Sequence, residues 1–318
     1  MRWYYHSHFT RYITSLQKLK LHTMAATDVL AHDHTTTRGL LGTMGAMTGL
    51  KSASTASTTA AYDPFSLGHR ITILRNRTAP ILPAAAAESD PAARFMEYPF
   101  RHLLAALMEN VAAEYTFLTD FFSHKKLSTV SSLFTSVFEP TYKLAESHIS
   151  TLVSPAHDAI GLLLCIRLTQ YAQLEMQRRR IPVADSYLNS INMLLWPRFQ
   201  LVMSAHCESL RKCGVKQLGK STAPVAVTQR FASLLHALLV VSREAGEDEP
   251  VGASLGRLRG EWEGCMKRME GGVEEGRRAR WWENNVALVG TVIGDTEGKL
   301  AGEMKGYFEE LLGRWRGR

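Results

Sequence analysis

From residue 100 to residue 241 the apolar side chains recur every three or four positions, and that spacing fits helices and little else. Phe100, Leu103, Leu107, Val111, Tyr115 and Leu118 make one stripe. Val130, Phe134, Phe138, Leu144, Ile149 and Leu152 make a second, with Pro140 read as a break because proline lacks the N–H and crowds the preceding turn. Ser154-Pro155 carries a start signal for a third helix, a cap followed by proline in the first turn. From Ala159 to Ile166 that helix is apolar on every side, so it belongs in the centre of whatever forms. A fourth helix carries Tyr187, Ile191, Leu195, Phe199 and Val202. Trp196-Pro197 lies in its middle, where the proline is expected to kink it and Trp196 to join Phe199 in the core. A loop over 213–226 leads to a fifth helix over 228–241. No β-branched runs alternate with these helices, so the α/β pattern is missing and the chain reads as all-α, a bundle or a stacked helical rod.

Around this core the text changes character. Phe9, Ile13, Leu16, Leu19 and Leu30 suggest an amphipathic helix over 9–30, so 1–30 reads as a helical, coiled-coil-like region. Residues 31–61 turn to Thr, Ser, Gly and Ala, the composition of a linker. Residues 62–95 contain prolines and a short β-like run, Ile71–Leu74, and read as an extended connecting segment. Residues 96–245 hold the helical bundle, and 246–318 a further, glycine-rich helical segment. There Gly252, Gly256, Gly260 and Gly264 fall four apart, as do Gly290, Gly294, Gly298, Gly302 and Gly306. On a helix such a series makes a smooth stripe that would admit a close neighbour. The segment is too charged for the membrane-helix version of that motif.

Charge narrows the functional classes. The net charge is +7 over 318 residues, spread as about +4 in 1–61, +1 in 62–95, +4 in 96–242 and −2 in 243–318. None of these segments has the dense basic stripe of a nucleic-acid binder, although a mildly basic surface suits an acidic membrane or partner. The four cysteines, at 165, 207, 213 and 265, lack disulfide or zinc spacing and suggest a reducing compartment. The start, MRWYYHSHFTRY, has polar and aromatic residues where a signal peptide needs an apolar core. The longest apolar run, Ala159 to Ile166, is far shorter than the roughly 20 residues that span a bilayer. The expectation is a cytosolic protein that reaches membranes through partners.

Several motifs invite a sharper reading. Gly214–Ser221, GVKQLGKS, fits the letters of a phosphate-binding loop, with Lys220 and Ser221 as its functional pair. Such a loop needs an incoming strand and an outgoing helix. The residues before Gly214 continue a helix, and Pro224 stands where the outgoing helix should be established. His6 and His8, and His32 and His34, have metal-ligand spacing but no further ligands in their segments. His157-Asp158 resembles the pair of metal-dependent phosphohydrolases, with His124 and His148 as the nearby candidates for a fuller set. Arg178-Arg179-Arg180 offers three cations at a helix C-terminus, where they stabilise the helix and could meet an acidic partner. No catalytic, cofactor or metal set follows from these spacings.

The blocks EYTFLTDFF (114–122), DAIGLLLCI (158–166), RRRIPVADSYL (178–188) and LWPRF (195–199) resemble the vacuolar protein sorting-associated protein 52 family, also called Sac2. FTRYITSLQKL (9–19), DPFSLGHRITIL (63–74), APILP (79–83) and FEELL (308–312) continue the likeness in the same order. The resemblance implies a non-enzymatic subunit of the Golgi-associated retrograde protein complex, or of the related endosomal recycling complex. Its implied fold is the elongated, stacked helical-bundle rod of multisubunit tethers. Its implied partners are sister subunits, SNAREs and a Rab-type GTPase, at trans-Golgi and endosome membranes. Family members carry a long coiled coil before the block that opens this chain, so the chain corresponds to the middle and part of the C-terminal half, as a truncated gene model would. The competing readings are a nucleotide-binding protein using Gly214–Ser221 and a helical scaffold of another tether.

Overall fold

A computed structural model describes residues 1–31, 63–75, 94–123, 126–214, 221–246 and 249–316. The helices in chain order are α1 (Arg2–Leu16), α2 (Thr72–Arg75), α3 (Glu97–Phe121), α4 (Leu127–Val153), α5 (Ala159–Arg178), α6 (Asp185–Arg211), α7 (Ala226–Val241), α8 (Pro250–Glu270), α9 (Arg278–Ile293) and α10 (Lys299–Trp315). Short 3-10 turns precede α2, α6 and α9. No strand occurs among the described residues, and the fold is all-α.

The chain divides into two compact units. The first takes in Met1–Met24, Leu67–Met203 and Val240–Glu244. In it α1 packs on α4, and α3 packs on both α4 and α5. Tyr5 of α1 meets Phe138 of α4 with ring centroids 4.5 Å apart, and Phe138 stacks on Phe134 at 4.8 Å. The Tyr5 hydroxyl donates to Glu114 of α3 at 2.8 Å, which ties a third helix to the pair. Every side chain from Ala159 to Ile166 is buried, as its all-apolar text requires. The second unit takes in the described parts of Ala25–Ser66, Ser204–Leu239 and Ala245–Arg318. Its core is aromatic. Phe231 of α7 stacks on Trp262 of α8 at 5.0 Å, and Trp262 meets Trp282 of α9 and Phe308 of α10 edge-on. Asn285, fully buried on α9, accepts from the Val225 N–H and donates to the Trp281 carbonyl, and so supplies a partner just before α7 begins.

Several expectations need correction. The N-terminal helix starts at Arg2 and ends at Leu16, although Leu19, Met24 and Leu30 are buried. The apolar spacing past Leu16 reports burial of a non-helical chain. The β-like run Ile71–Leu74 is helical: Gly68–Ile71 forms a 3-10 turn and Thr72–Arg75 continues as α2. Gly68, at φ 48°, supplies the left-handed residue that opens this turn. Pro140 does not break its helix: it lies inside α4, just as Pro197 lies, as expected, in the middle of α6. The carbonyls they leave without a helical donor belong to Ser136 and Met193, both exposed residues, so water can serve them. Trp196 is half-buried, because Leu195 and Phe199 hold the core register of α6 and place Trp196 a hundred degrees away. The third helix does not start at Ser154-Pro155. Ser154 closes α4, and Asp158 caps α5 by accepting from the Gly161 N–H at 3.0 Å.

The glycine stripes behave differently from the expectation too. Gly290 lies in α9, Gly294 caps its end, Gly298 precedes α10 at φ 109°, and Gly302 and Gly306 lie in α10. One series therefore spans two helices. A Cβ at Gly256, Gly260, Gly290, Gly302 or Gly306 would meet nothing within 4 Å, so no neighbour is seated closely on these positions. Gly252 is approached from another helix, by Leu300 at 3.2 Å, while Gly264 and Gly294 meet only near neighbours along their own helices, Arg268 and Thr291.

The first unit also buries an acid-sensitive group. His102 of α3 is 1% exposed, with its ring 4.4 Å from that of Tyr98 and its Nε2 3.4 Å from the Arg101 guanidinium. Burial, then the Arg101 charge, lowers its pKa to about 4. The unfolded chain takes up a proton near pH 6.5, so it binds more protons than the folded chain between those values. Stability is therefore full above about pH 6.5 and falls as the pH drops toward 4, by at most about 1.4 kcal/mol per pH unit for this residue. His102→Gln should flatten the urea midpoint between pH 6.5 and 4 relative to the parent. Parallel curves for the two proteins would contradict a buried neutral histidine.

Candidate functional site

The densest polar arrangement in the first unit is built on Arg70. The turn from Gly68 to Ile71 points its side chain inward, where it is 5% exposed. Its Nε donates to Glu97 Oε1 at 2.7 Å and its Nη2 to Glu97 Oε2 at 2.8 Å, a bidentate pair. Nη2 also donates to Asp158 Oδ2 at 2.6 Å. The guanidinium lies 4.5 Å from the Phe95 ring centroid. Glu97 opens α3 and Asp158 caps α5, so one arginine from a short turn joins the starts of two long helices. Both carboxylates sit where a helix dipole favours negative charge.

Burial works against the guanidinium charge, and Asp158 and Glu97 outweigh it, so Arg70 is held firmly in its charged form. The packing leaves no slack. A Cβ at Gly161 would lie 2.8 Å from both Arg70 Nη2 and Asp158 Oδ2, so this position needs glycine for close approach. Beneath the cluster Cys165 is fully buried, and burial raises its thiol pKa well above the ordinary value, which makes it an inert core residue. All four oxygens of the two carboxylates accept hydrogen bonds, from Arg70 or from the Gly161 N–H. The arrangement is chemically a lock, with no free base or nucleophile in it.

The residues singled out in the sequence are placed as follows. Asp158 belongs to this lock, and His157 beside it is half-buried. His148 lies on α4 with its Nδ1 3.4 Å from Gln17, and burial lowers its pKa. His6 and His8 are exposed on α1. His32, His34 and His124 lie outside the described residues. Among the described residues no group of three His, Cys, Asp or Glu side chains could hold a metal ion. None of the four cysteines forms a disulfide, and all four are buried. Of the GVKQLGKS loop, residues 215–220 lie outside the described residues. Its flanks are α6, which ends at Arg211, and α7, which starts at Ala226, five residues after Ser221. A phosphate loop would instead run from a strand straight into a helix.

Arg178–Arg180 closes α5. Arg180 sits at φ 59°, with its N–H on Gln177 and that of Ile181 on Met176, the bonds of a Schellman ending that glycine usually makes. Arg179 pairs with Glu175 at 2.9 Å and with Glu109 of α3 at 3.0 Å, at the edge of a cavity of about 320 Å³ between α3 and α5. Arg101, Leu104, Met108, Leu168 and Tyr171 line its wall.

Sequence reasoning missed Arg70, Glu97 and Glu114 as organising residues. The available signal was a charge inside an apolar stripe: Glu114 between Val111 and Leu118, and Arg70 between Leu67 and Leu74. Arg70→Ala would leave two carboxylates buried and facing each other, at a cost of roughly 3–5 kcal/mol to the first unit. Arg70→Lys should recover little of this, since an ammonium cannot reproduce the fork on Glu97 and still reach Asp158. Urea unfolding of both variants checks this, and a midpoint for Arg70→Ala equal to that of the parent would contradict it.

A family model described as "Vps52, C-terminal" matches residues 1–316. Over 227 residues the chain is 37% identical to vacuolar protein sorting-associated protein 52 of Schizosaccharomyces pombe, covering 70% of this chain and 44% of that protein. It is 32% identical over 308 residues to vacuolar protein sorting-associated protein 52 A of Arabidopsis thaliana, covering 96% of this chain and 41% of the relative. Against the Saccharomyces cerevisiae protein of the same name the identity is 29% over 309 residues, covering 84% and 47%. The chain thus spans less than half the length of these relatives. No solved structure matches it.

Proposed function

The chain belongs to the Vps52 C-terminal family, and from that membership we propose that it is a non-enzymatic subunit of a vesicle-tethering complex. The observation that carries this reading is the family match over residues 1–316. The all-α architecture suits such a role: long helices offer extended side faces for partner helices, and the charged groups of the Arg70 centre are spent on holding helices together. We read its cargo step as retrograde transport from endosomes to the trans-Golgi network. Its partners in that reading are the sister subunits of the tether, SNAREs and a Rab-type GTPase. Its place is cytoplasmic and peripheral on trans-Golgi and endosome membranes. The division of the chain into an N-terminal region (1–30), whose helix ends at Leu16, a linker (31–61), a connecting segment (62–95), a bundled stretch (96–245) that contributes to both compact units and a glycine-rich helical segment (246–318) is part of the same proposal.

The test uses the Saccharomyces cerevisiae relative, whose name records vacuolar protein sorting. Its matched segment is replaced by this chain, and the chimera is expressed in cells lacking the native protein. Sorting of a vacuolar hydrolase should be restored well above the level of the empty strain. A chimera that reaches normal abundance and still leaves the hydrolase secreted would contradict the proposal.

A further inference from the structure

The outer face of α1 has a composition that the core does not explain. The helix commits Tyr5, Phe9, Ile13 and Leu16 to the first unit. On the opposite side Trp3 is 78% exposed and Tyr4 52% exposed. Tyr4, Arg11 and Lys18 fall seven apart, so Arg11 lies two turns along the same face and Lys18 just past the helix end, and both are exposed. Lys20 adds a further exposed cation, whereas Arg2, on the side of the helix that faces α4, lies close to Glu139. The first 27 residues contain no Asp or Glu.

The acids that neighbour this helix are already engaged. Glu114 is turned inward to hold the Tyr5 hydroxyl, and Glu139 of α4 pairs with Lys143 at 2.6 Å. A solvated face has no need of an exposed tryptophan beside an exposed tyrosine, and an apolar partner would not call for Arg11 and Lys18 on a stretch without acids. The two together match the interface of a bilayer. Amphipathic aromatic rings rest at headgroup level, and lysine and arginine meet anionic phosphates.

We propose that the outer face of α1 is a docking surface for an anionic lipid bilayer. Charge complementarity selects this occupant. Because the apolar stripe of α1 is held by α4, the helix lies on the membrane surface without inserting its core face. Binding is therefore shallow and electrostatic, anchored by Trp3 and Tyr4, and weakened by salt. The proposal goes beyond the tether reading, and a negative result leaves that reading untouched.

The experiment uses the full chain and two sets of vesicles, one of phosphatidylcholine alone and one containing phosphatidylserine. The chain should sediment with the second set and stay free of the first. Arg11→Gln and Lys18→Gln should each lower partitioning about fivefold. Quenching by brominated lipid is read as the difference between the parent and Trp3→Ser, since Trp262, Trp281 and Trp282 are at most 1% exposed but Trp196 and Trp315 are partly exposed. Trp3→Ser should abolish the contact-dependent part of the quenching while leaving the thermal melt unchanged. The proposal is overturned by absence of binding to the anionic vesicles, by equal binding to both sets, or by binding that survives all three substitutions. Absence of binding would point to an acidic protein surface as the occupant.

Discussion

One arginine, Arg70, holds two carboxylates that would otherwise be costly to bury, and the first unit is organised around that arrangement. Glu97 and Asp158 each stand at the start of a long helix, and each accepts from the same guanidinium. Without the cation both charges would sit in a medium that solvates them poorly, and each costs several kcal/mol there. With it, α3 and α5 begin at a fixed distance from each other. The all-apolar run from Ala159 to Ile166 then enters the centre in one register. Gly161 is part of the same constraint, because a side chain there would drive Arg70 and Asp158 apart.

The second unit reaches stability by other means. Phe231, Trp262, Trp282 and Phe308 bring four helices onto one aromatic cluster, and Trp282 stacks on Trp315 at 5.1 Å near the end of α10. Large rings at the contacts compensate for glycines that weaken the helices themselves, each by about 1 kcal/mol against alanine. This explains how a glycine-heavy text forms long helices although no neighbour is seated closely on Gly256, Gly260, Gly302 or Gly306.

Much of this was legible in the sequence where burial and helical period coincide. Leu103, Leu107 and Val111, or Phe134 and Phe138, announce both the helix and its inner face. The reading failed where those two signals part. Leu19, Met24 and Leu30 are buried without being helical, so their spacing overextended α1. Pro140 looks like a break by local chemistry, yet packing on the inner face carries α4 through. The Arg70 centre was invisible for a different reason. Its partners lie 27 and 88 residues away, and no local pattern links a lone arginine to two distant carboxylates. Asp158 drew notice as half of a metal-like pair, and the structure spends it on a cap and an ion pair instead.

The account rests on Arg70 and Glu97 acting as one unit, and a double-mutant cycle measures that directly. Arg70→Met, Glu97→Gln and the pair are unfolded in urea beside the parent protein. Arg70→Met strands the Glu97 and Asp158 carboxylates, and Glu97→Gln leaves Arg70 with Asp158 alone. If Arg70 and Glu97 work as a pair, the double variant should be more stable than the sum of the two losses implies, by roughly 1–3 kcal/mol of coupling. Losses that add to within about 0.5 kcal/mol would show that the two side chains act independently, and the central constraint would then have to lie elsewhere.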